Sequence, residues 1–542
     1  MGYMAFTKRF IAGLFLVFMA LALHQCAKRG SPSGGPKDTE PPVLIKAEPE
    51  NLSINFKTTK IRLYFDEYIK LQDVQNQLIV SPPFQYPPDI SPQGGASKYV
   101  EVVIKDTLRE NTTYTLNFGQ SIVDNNENNP SSYLTYVFST GDYIDSLALL
   151  GVVKDAYNKE TEEFISVMLY EIDTAYTDSV ISKKPPYYIT NTQDSTTIFR
   201  LQNLKAGKYR LLAIKDEAKN NLYDAVTDKI GFVEDTISLP TDSIYLLNLF
   251  REAPKYAPSP PKFSAANKII FGYKGSDEKL QINPISIIPD SITSFISKEP
   301  GKDTLNYWFT PFEVDSLLFE VVNERIQKRD TFTVKTRKLP ADSLVLIPSS
   351  RSSIGFLDTM SLGANIPIRQ IDTSRVSIMN KDSISLPLNI RLDTLVNRME
   401  FYFKKEPNDT YALSILPGAL TDLFGATNDT LLYRIRTKNY EDYGNLRIRL
   451  QGAVSYPIIL QLTEPKGKVV RSILSEKDML YEFTLLEPKK YLLRLIFDAN
   501  ANQRWDTGNF LEKIQPEKIV YFPQEIEVRA NWELEQVFSI EE

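Results

Sequence analysis

Short runs in which apolar and polar residues alternate, cut at intervals by turn-forming clusters, recur through the chain from Val43 onward. Ile61-Arg62-Leu63-Tyr64-Phe65, Tyr114-Thr115-Leu116-Asn117-Phe118 and Leu317-Leu318-Phe319-Glu320-Val321-Val322 are three of them. A strand sends successive side chains to opposite faces, so such runs bury one face and wet the other. Clusters such as Asp124-Asn125-Asn126-Glu127-Asn128-Asn129-Pro130 supply the turns between them. The pattern predicts an all-β chain of tandem antiparallel β-sandwiches. With 542 residues, 42% of them hydrophobic, there is material for four or five such units.

The rarest residues narrow the chemistry. His24 is the only histidine and Cys26 the only cysteine. No internal disulfide can form, so each unit must stand on packing alone. If residues 1–25 are removed, no imidazole remains. Ser-His-Asp and Cys-His nucleophile systems and His/Cys zinc sites are then excluded, while carboxylate, Lys and Tyr chemistry is not. The formal charge is −6, or −8 once Lys8 and Arg9 are gone, and no basic block is present. Nucleic acid is therefore not an expected partner. There is no glycine-rich phosphate loop, heptad run or basic amphipathic helix. The reading is of a protein that is not an enzyme.

The N-terminal stretch sets an expected location. Lys8 and Arg9 precede an apolar run from Phe10 to Leu23, closed by His24-Gln25-Cys26. The run is too short for a spanning helix and has the form of a secretion signal. It resembles a bacterial lipoprotein signal, with Leu23 at the third position before the cysteine and Gln25 where a small residue is usual. The resemblance implies a signal peptide over 1–25, cleavage before Cys26 and lipidation of its thiol. An ordinary signal with an incidental cysteine is the other reading. Residues 26–42 carry the cysteine and a Gly/Pro/Ser-rich tether. Ala27 lacks the Asp that retains some lipoproteins in the inner membrane, which by the same resemblance implies an outer membrane lipoprotein of the cell envelope. The periplasmic or surface face stays undecided.

Further resemblances divide the rest. In 43–141, Phe65-Asp66-Glu67, Val80-Ser81-Pro82-Pro83, Asp124 and Phe138-Ser139-Thr140 resemble the bacterial Ig-like domain of S-layer and envelope proteins. In 142–252, Gly151-Val152-Val153-Lys154-Asp155, Gly207-Lys208-Tyr209 and the strand ending at Asp216 are similar to prealbumin-like modules related to carboxypeptidase regulatory domains. These are sandwiches generally without catalysis. Pro254, Pro258, Pro260 and Pro261 predict a stiff linker over 253–261. Residues 262–340 read as a β-sandwich of uncertain family.

The second half repeats the first. Tyr411, Asp422 and Thr437 echo Tyr114, Asp124 and Thr140, with Tyr and Thr 26 positions apart in both copies. Lys490 to Asp498 echoes Lys208 to Asp216, and Asp506 stands 8 beyond Asp498 as Asp224 stands 8 beyond Asp216. This repeat places a second Ig-like domain at 341–440 and a second prealbumin-like domain at 441–542.

Two patterns invite ligands or modification. Asp498, Asn500, Asn502 and Asp506 place oxygens at positions 1, 3, 5 and 9 of a loop, like the start of a calcium loop. Gln503 replaces the turn glycine, Asn509 stands where a bidentate Glu is expected, and Glu512 is the substitute. Two carboxylates give weak Ca2+ binding, in the ~mM range. Asp216, Asn220, Asp224 and Asp228 form a possible second loop. A loop that caps its own backbone is the competing reading for both. No other cofactor is expected. Asp followed by Ser or Thr and a small or apolar residue recurs, as at Thr107, Ser146, Thr236, Ser291, Thr359 and Thr430. It resembles an O-glycosylation sequon used for exported proteins in one group of Gram-negative bacteria. Asp-Ser/Thr also simply starts turns.

The sequence thus points to a non-enzymatic cell-envelope lipoprotein, held at a membrane by its lipid anchor. It would act as a structural or protein-binding module toward an unknown envelope protein or glycan. A carbohydrate-binding or adhesion protein is the alternative.

Overall fold

The computed structural model describes residues 37–192, 197–275, 280–452 and 454–540. The expected secretion signal, Cys26 and the expected tether as far as residue 36 lie outside the described residues. The chain divides into two compact units, Met1–Ile144 and Asp145–Glu542. The fold is all-β, in five sandwiches. Among the described residues the α-helix is limited to Val74–Gln77, and no helix is long and apolar enough to cross a membrane.

The alternation seen in the sequence becomes burial. Strand Lys60–Leu71 turns Ile61, Leu63, Phe65 and Ile69 inward and Lys60 and Arg62 outward. Each fully buried side chain of this size contributes about 1.5–3 kcal/mol through removal from water. Each sandwich closes its own core, around Phe65 and Leu116 in the first, for example, and Tyr411 and Met399 in the fourth.

The first sandwich runs from Leu44–Glu48 to Thr135–Ser139. One of its sheets follows the order first, second, fifth, fourth strand, with the seventh on the second. The facing sheet is third, sixth, eighth. The fourth sandwich, from Leu346–Pro348 to Leu431–Arg436, repeats this order, with its long second strand broken into Met360–Ala364 and Ile368–Ile371. The third sandwich does so as well. Ala257–Pro258 and Lys262–Ala265 both pair with Lys268–Lys274 and together fill the place of the first strand, and among the described residues there is no seventh. The expected proline linker is therefore not free chain along its whole length: Ala257 and Pro258 lie opposite Lys274 and Tyr273 as an edge strand, where proline is tolerated because no ladder donor is needed.

The second and fifth sandwiches share a different order. One sheet runs third, second, fifth, sixth, with the seventh against the fifth; the other runs fourth, first, eighth. In both, the eighth strand is parallel to the first. Ile244–Leu249 lies beside Leu147–Asp155, and Glu533–Ile540 beside Gly444–Gly452.

Candidate functional site

The residues that repeat in sequence prove to hold loops. In the first sandwich the Tyr114 hydroxyl accepts the Arg109 amide at 2.9 Å, and the Thr140 hydroxyl donates to the Arg109 carbonyl at 2.7 Å. In the fourth, Tyr411 accepts the Glu406 amide at 2.5 Å and Thr437 donates to the Glu406 carbonyl at 2.5 Å. One loop residue is thus gripped at both its N–H and its C=O, which fixes the Tyr-to-Thr spacing. Asp124 accepts the amides of Asn126, Glu127, Asn128 and Asn129, and Asp422 those of Phe424 and Ala426. Burial opposes ionisation of Asp124, but those amides together outweigh it and hold the carboxyl below its ordinary range. Asp66 accepts the Val43 amide. Its neighbour Glu67 is shifted upward by burial first and then by Asp124 and Asp66.

The Asx-rich loops follow the same rule. Asp498 is buried and accepts the Asn502 amide at 3.0 Å and the Gln503 amide at 2.8 Å. Asp506 accepts the side-chain amides of Asn500 and Asn502, each at 2.5 Å, and lies 3.3 Å from the Arg504 guanidinium. Nitrogens of Asn500 and Asn502, rather than oxygens, therefore face Asp506. The acidic side chain that closes the loop is Glu517, not Glu512. Glu517 accepts the Ala499 and Asp506 amides at 2.9 and 3.0 Å, and burial pushes its carboxyl up. In the sister loop Asp216 accepts the Asn221 amide at 2.6 Å. Asp228 accepts from Glu217 and Asp224, Asp224 from Val226, and Asn220 from Leu222. Among the described residues no group of three or more His, Cys, Asp or Glu side chains converges as for a metal ion.

The unexpected site is a seam within 145–542, where the second sandwich meets the fifth. Arg494 leaves the outer face of strand Lys490–Phe497 and is 1% exposed. Its guanidinium donates to Gln461 Oε1 at 2.9 and 2.7 Å, to the Tyr157 hydroxyl at 2.8 Å and carbonyl at 3.4 Å, and to the Tyr521 hydroxyl at 3.2 Å. It also stacks 4.3 Å from the centre of the Tyr157 ring. No carboxylate is among these partners. A buried cation is tolerated here because its donors are met and an aromatic face supplies the field. Trp505, from the Asx-rich loop, lies 4.8 Å from the Tyr157 ring.

The chain after that loop extends the seam. Phe510 packs edge-on to Phe232 at 5.4 Å, and Lys513 pairs with Asp178 at 2.6 Å. Thr507 donates to the Arg251 carbonyl at 2.6 Å, and the Phe510 amide to Glu252 at 2.6 Å. Burial opposes ionisation of Asp178, but Lys513, Tyr176 and Arg210 outweigh it and hold the carboxyl below its ordinary value. Burial raises the Tyr521 phenol, with Arg494 acting the other way. No signal within either copy marks the seam. The second sandwich carries Leu212 at the step where the fifth has Arg494, so the repeat itself hid the arginine.

Comparison with known proteins covers part of this architecture. Residues 38–140 match the bacterial Ig-like domain family. No curated protein matches the sequence. Among solved structures, the chain is similar to domains 1–6 of the surface layer protein SbsC at 9% identity, over 86% of this chain and 67% of that one, with a TM-score of 0.14. It is similar to the BSP domain of a biofilm associated protein at 8% identity, over 88% and 97%, with a TM-score of 0.15. It is similar to titin domains A168–A170 at 9% identity, over 51% and 98%, with a TM-score of 0.13. Superpositions this loose carry no argument about partner or activity.

Proposed function

We propose that this chain is a non-enzymatic structural or protein-binding module of the bacterial cell envelope, anchored in the outer membrane by a lipidated Cys26. One observation carries the scaffold part of this reading. The polar residues that recur between copies, Tyr114/Tyr411, Thr140/Thr437, Asp124/Asp422 and Asp216/Asp498, are spent on backbone amides and carbonyls. Side chains used this way position loops. The bacterial Ig-like match over 38–140 supports an envelope setting. The anchor is tested by fractionation. Wild-type protein is expected in the membrane pellet with an acyl mass on residue 26, and Cys26→Ser protein in the soluble fraction. Wild-type protein that is soluble and unacylated would end the anchored reading. Crosslinking in intact cells then identifies the partner.

The alternative, a carbohydrate-binding or adhesion protein, is favoured by the outer face of the first sandwich. Tyr64 and Tyr99 are cross-strand neighbours 5.6 Å apart, and Tyr99 and nearby Tyr68 are 39% and 57% exposed. The fourth sandwich has Gly363 opposite Arg398 at that step, so the strand order does not require the aromatic pair. A glycan array probed with wild type and with Tyr99→Ala separates the readings, since only glycan binding predicts a signal that the substitution removes. Calcium at the Asp498 loop would require Asn500 and Asn502 to turn their carbonyl oxygens toward Asp506. Calorimetric titration with millimolar calcium, with and without Asp498→Ala, decides it, and no heat ends the idea.

A further inference from the structure

Within 145–542 the second and fifth sandwiches are joined through the chain only by way of the two between them, yet their surfaces meet. We propose that the seam between them is a releasable clasp. It opens by rigid separation of the two sandwiches, with both cores intact, and Arg494 seated against Tyr157 is its anchor.

Three observations support release rather than fusion. The core of the second sandwich, around Leu149, Tyr209 and Leu247, and that of the fifth, around Leu446, Tyr491 and Phe538, are separate clusters with no residue in common. Among the described residues no strand pairing joins the two sandwiches, so opening breaks no backbone ladder. The third observation is the chemistry of the contact. The third and fourth sandwiches meet through buried Trp308, Ile366 and Leu423, an apolar cluster that separation would leave facing water. The seam between second and fifth adds to a buried Phe510–Phe232 contact a guanidinium, phenols and a Lys513–Asp178 pair. Each polar member can be rehydrated when the surfaces part. Contacts inside a chain that resemble transient protein–protein interfaces are where relative motion is expected. Arg494 is the anchor because its five donor contacts span both surfaces, to Tyr157 on one side and to Gln461 and Tyr521 on the other.

The test uses thiol labelling of the full chain carrying Cys26→Ser, which has no other cysteine. One probe is Phe510→Cys, in the seam; the other is Leu495→Cys, in the core of the fifth sandwich. Under native conditions the seam thiol is expected to react faster than the core thiol. Adding Tyr157→Ala from the opposite surface, or Arg494→Met as a second variant, should speed the seam thiol about tenfold or more, as loss of one strong contact implies, and leave the core thiol unchanged. Circular dichroism checks that both variants keep their strands. Seam and core thiols that react at one rate, and respond together, would show that the sandwich unfolds as a whole and that no clasp exists. A seam thiol indifferent to both Tyr157→Ala and Arg494→Met would remove Arg494 as the anchor.

Discussion

The second and fifth sandwiches have one strand order and different exteriors. On the inner faces buried apolar residues answer one another while sizes trade, with Tyr245 against Gln536 as an exception. Gly151 packs against Phe199 and Tyr245 in the second, where the fifth sets Ile448 against Tyr481 and Gln536. On the outer faces the chemistry itself changes. The three-stranded sheet of the second sandwich exposes Leu150, Ile198, Ile244 and Leu246. At the steps of Leu150 and Ile244 the fifth has Arg447 and Glu535, ion-paired with Glu482 and Arg449, while Ile198 and Leu246 are matched by exposed Leu480 and Val537. On the larger sheet the second buries Met168, Leu212 and Phe232 side by side, and the fifth puts Gln461, Arg494 and Tyr521 in their places. The inner faces encode the sandwich, and the outer faces encode what each sandwich meets.

The sharpest way to break this comparison is to force one copy's filling on the other. Leu495 and Ala213 occupy the same inner step, both fully buried. Leu495→Ala removes bulk for which the fifth sandwich has no replacement and should cost about 2–5 kcal/mol in chemical denaturation. A loss well under 1 kcal/mol would mean that the two cores are interchangeable. Gly151→Ala tests the converse. A Cβ there would run into the Phe199 ring and the Tyr245 carbonyl oxygen, so the second sandwich should lose about 1–3 kcal/mol from overpacking, whereas its counterpart position already holds isoleucine.

These two predictions also show what was legible in the chain. Alternation is local, so Ile61 to Phe65 and Lys490 to Phe497 could be read as strands, and the Tyr–Thr and Asp spacings could be read because each lock acts within one sandwich. The third sandwich was legible as a sandwich over 262–340, but its kinship to the first and fourth escaped for a physical reason. Its Thr336 still donates to the carbonyls of Val314 and Asp315, as Thr140 does to Arg109 and Thr112. Leu317 stands in the place of the tyrosine, and without a seventh strand the spacing to Thr336 shrinks to 19. The seam was out of reach because Tyr157 and Arg494 are 337 residues apart. An arginine on a strand's outer face ordinarily reads as solvated. Only a surface brought over it makes it a buried anchor.

A smaller effect probes how the two copies are tied. Asp178 belongs to the second sandwich and Lys513 to the fifth. Because the folded-state pKa of Asp178 is depressed, the stability it contributes is present above the ordinary carboxyl value. It is lost as pH falls through the folded value, that is, below about pH 4. Thermal unfolding of wild type and Asp178→Asn should differ at neutral pH by about 1 kcal/mol or less, and the difference should close in acid. A gap that persisted at low pH would mean that shape, not charge, matters at that contact.

The smallest stability change is expected where the copies differ most in appearance. Ile244 is 74% exposed and lies opposite Leu150, and the fifth sandwich has Glu535 at that step. Ile244→Glu therefore gives the second sandwich its counterpart's residue on a surface that water already reaches. Stability should move by no more than about 0.5 kcal/mol. Binding of an apolar dye should fall, because a contiguous aliphatic patch of Leu150, Ile198, Ile244 and Leu246 has been interrupted by a charge. Concentration-dependent light scattering supplies the deciding contrast. If scattering falls along with the dye signal, the aliphatic face holds molecules together, and its difference from the ion-paired face of the fifth sandwich is a difference in what the two surfaces touch. If stability instead drops by more than about 1 kcal/mol, Ile244 is packed within the intact chain, and the outer face of the second sandwich belongs to its core after all.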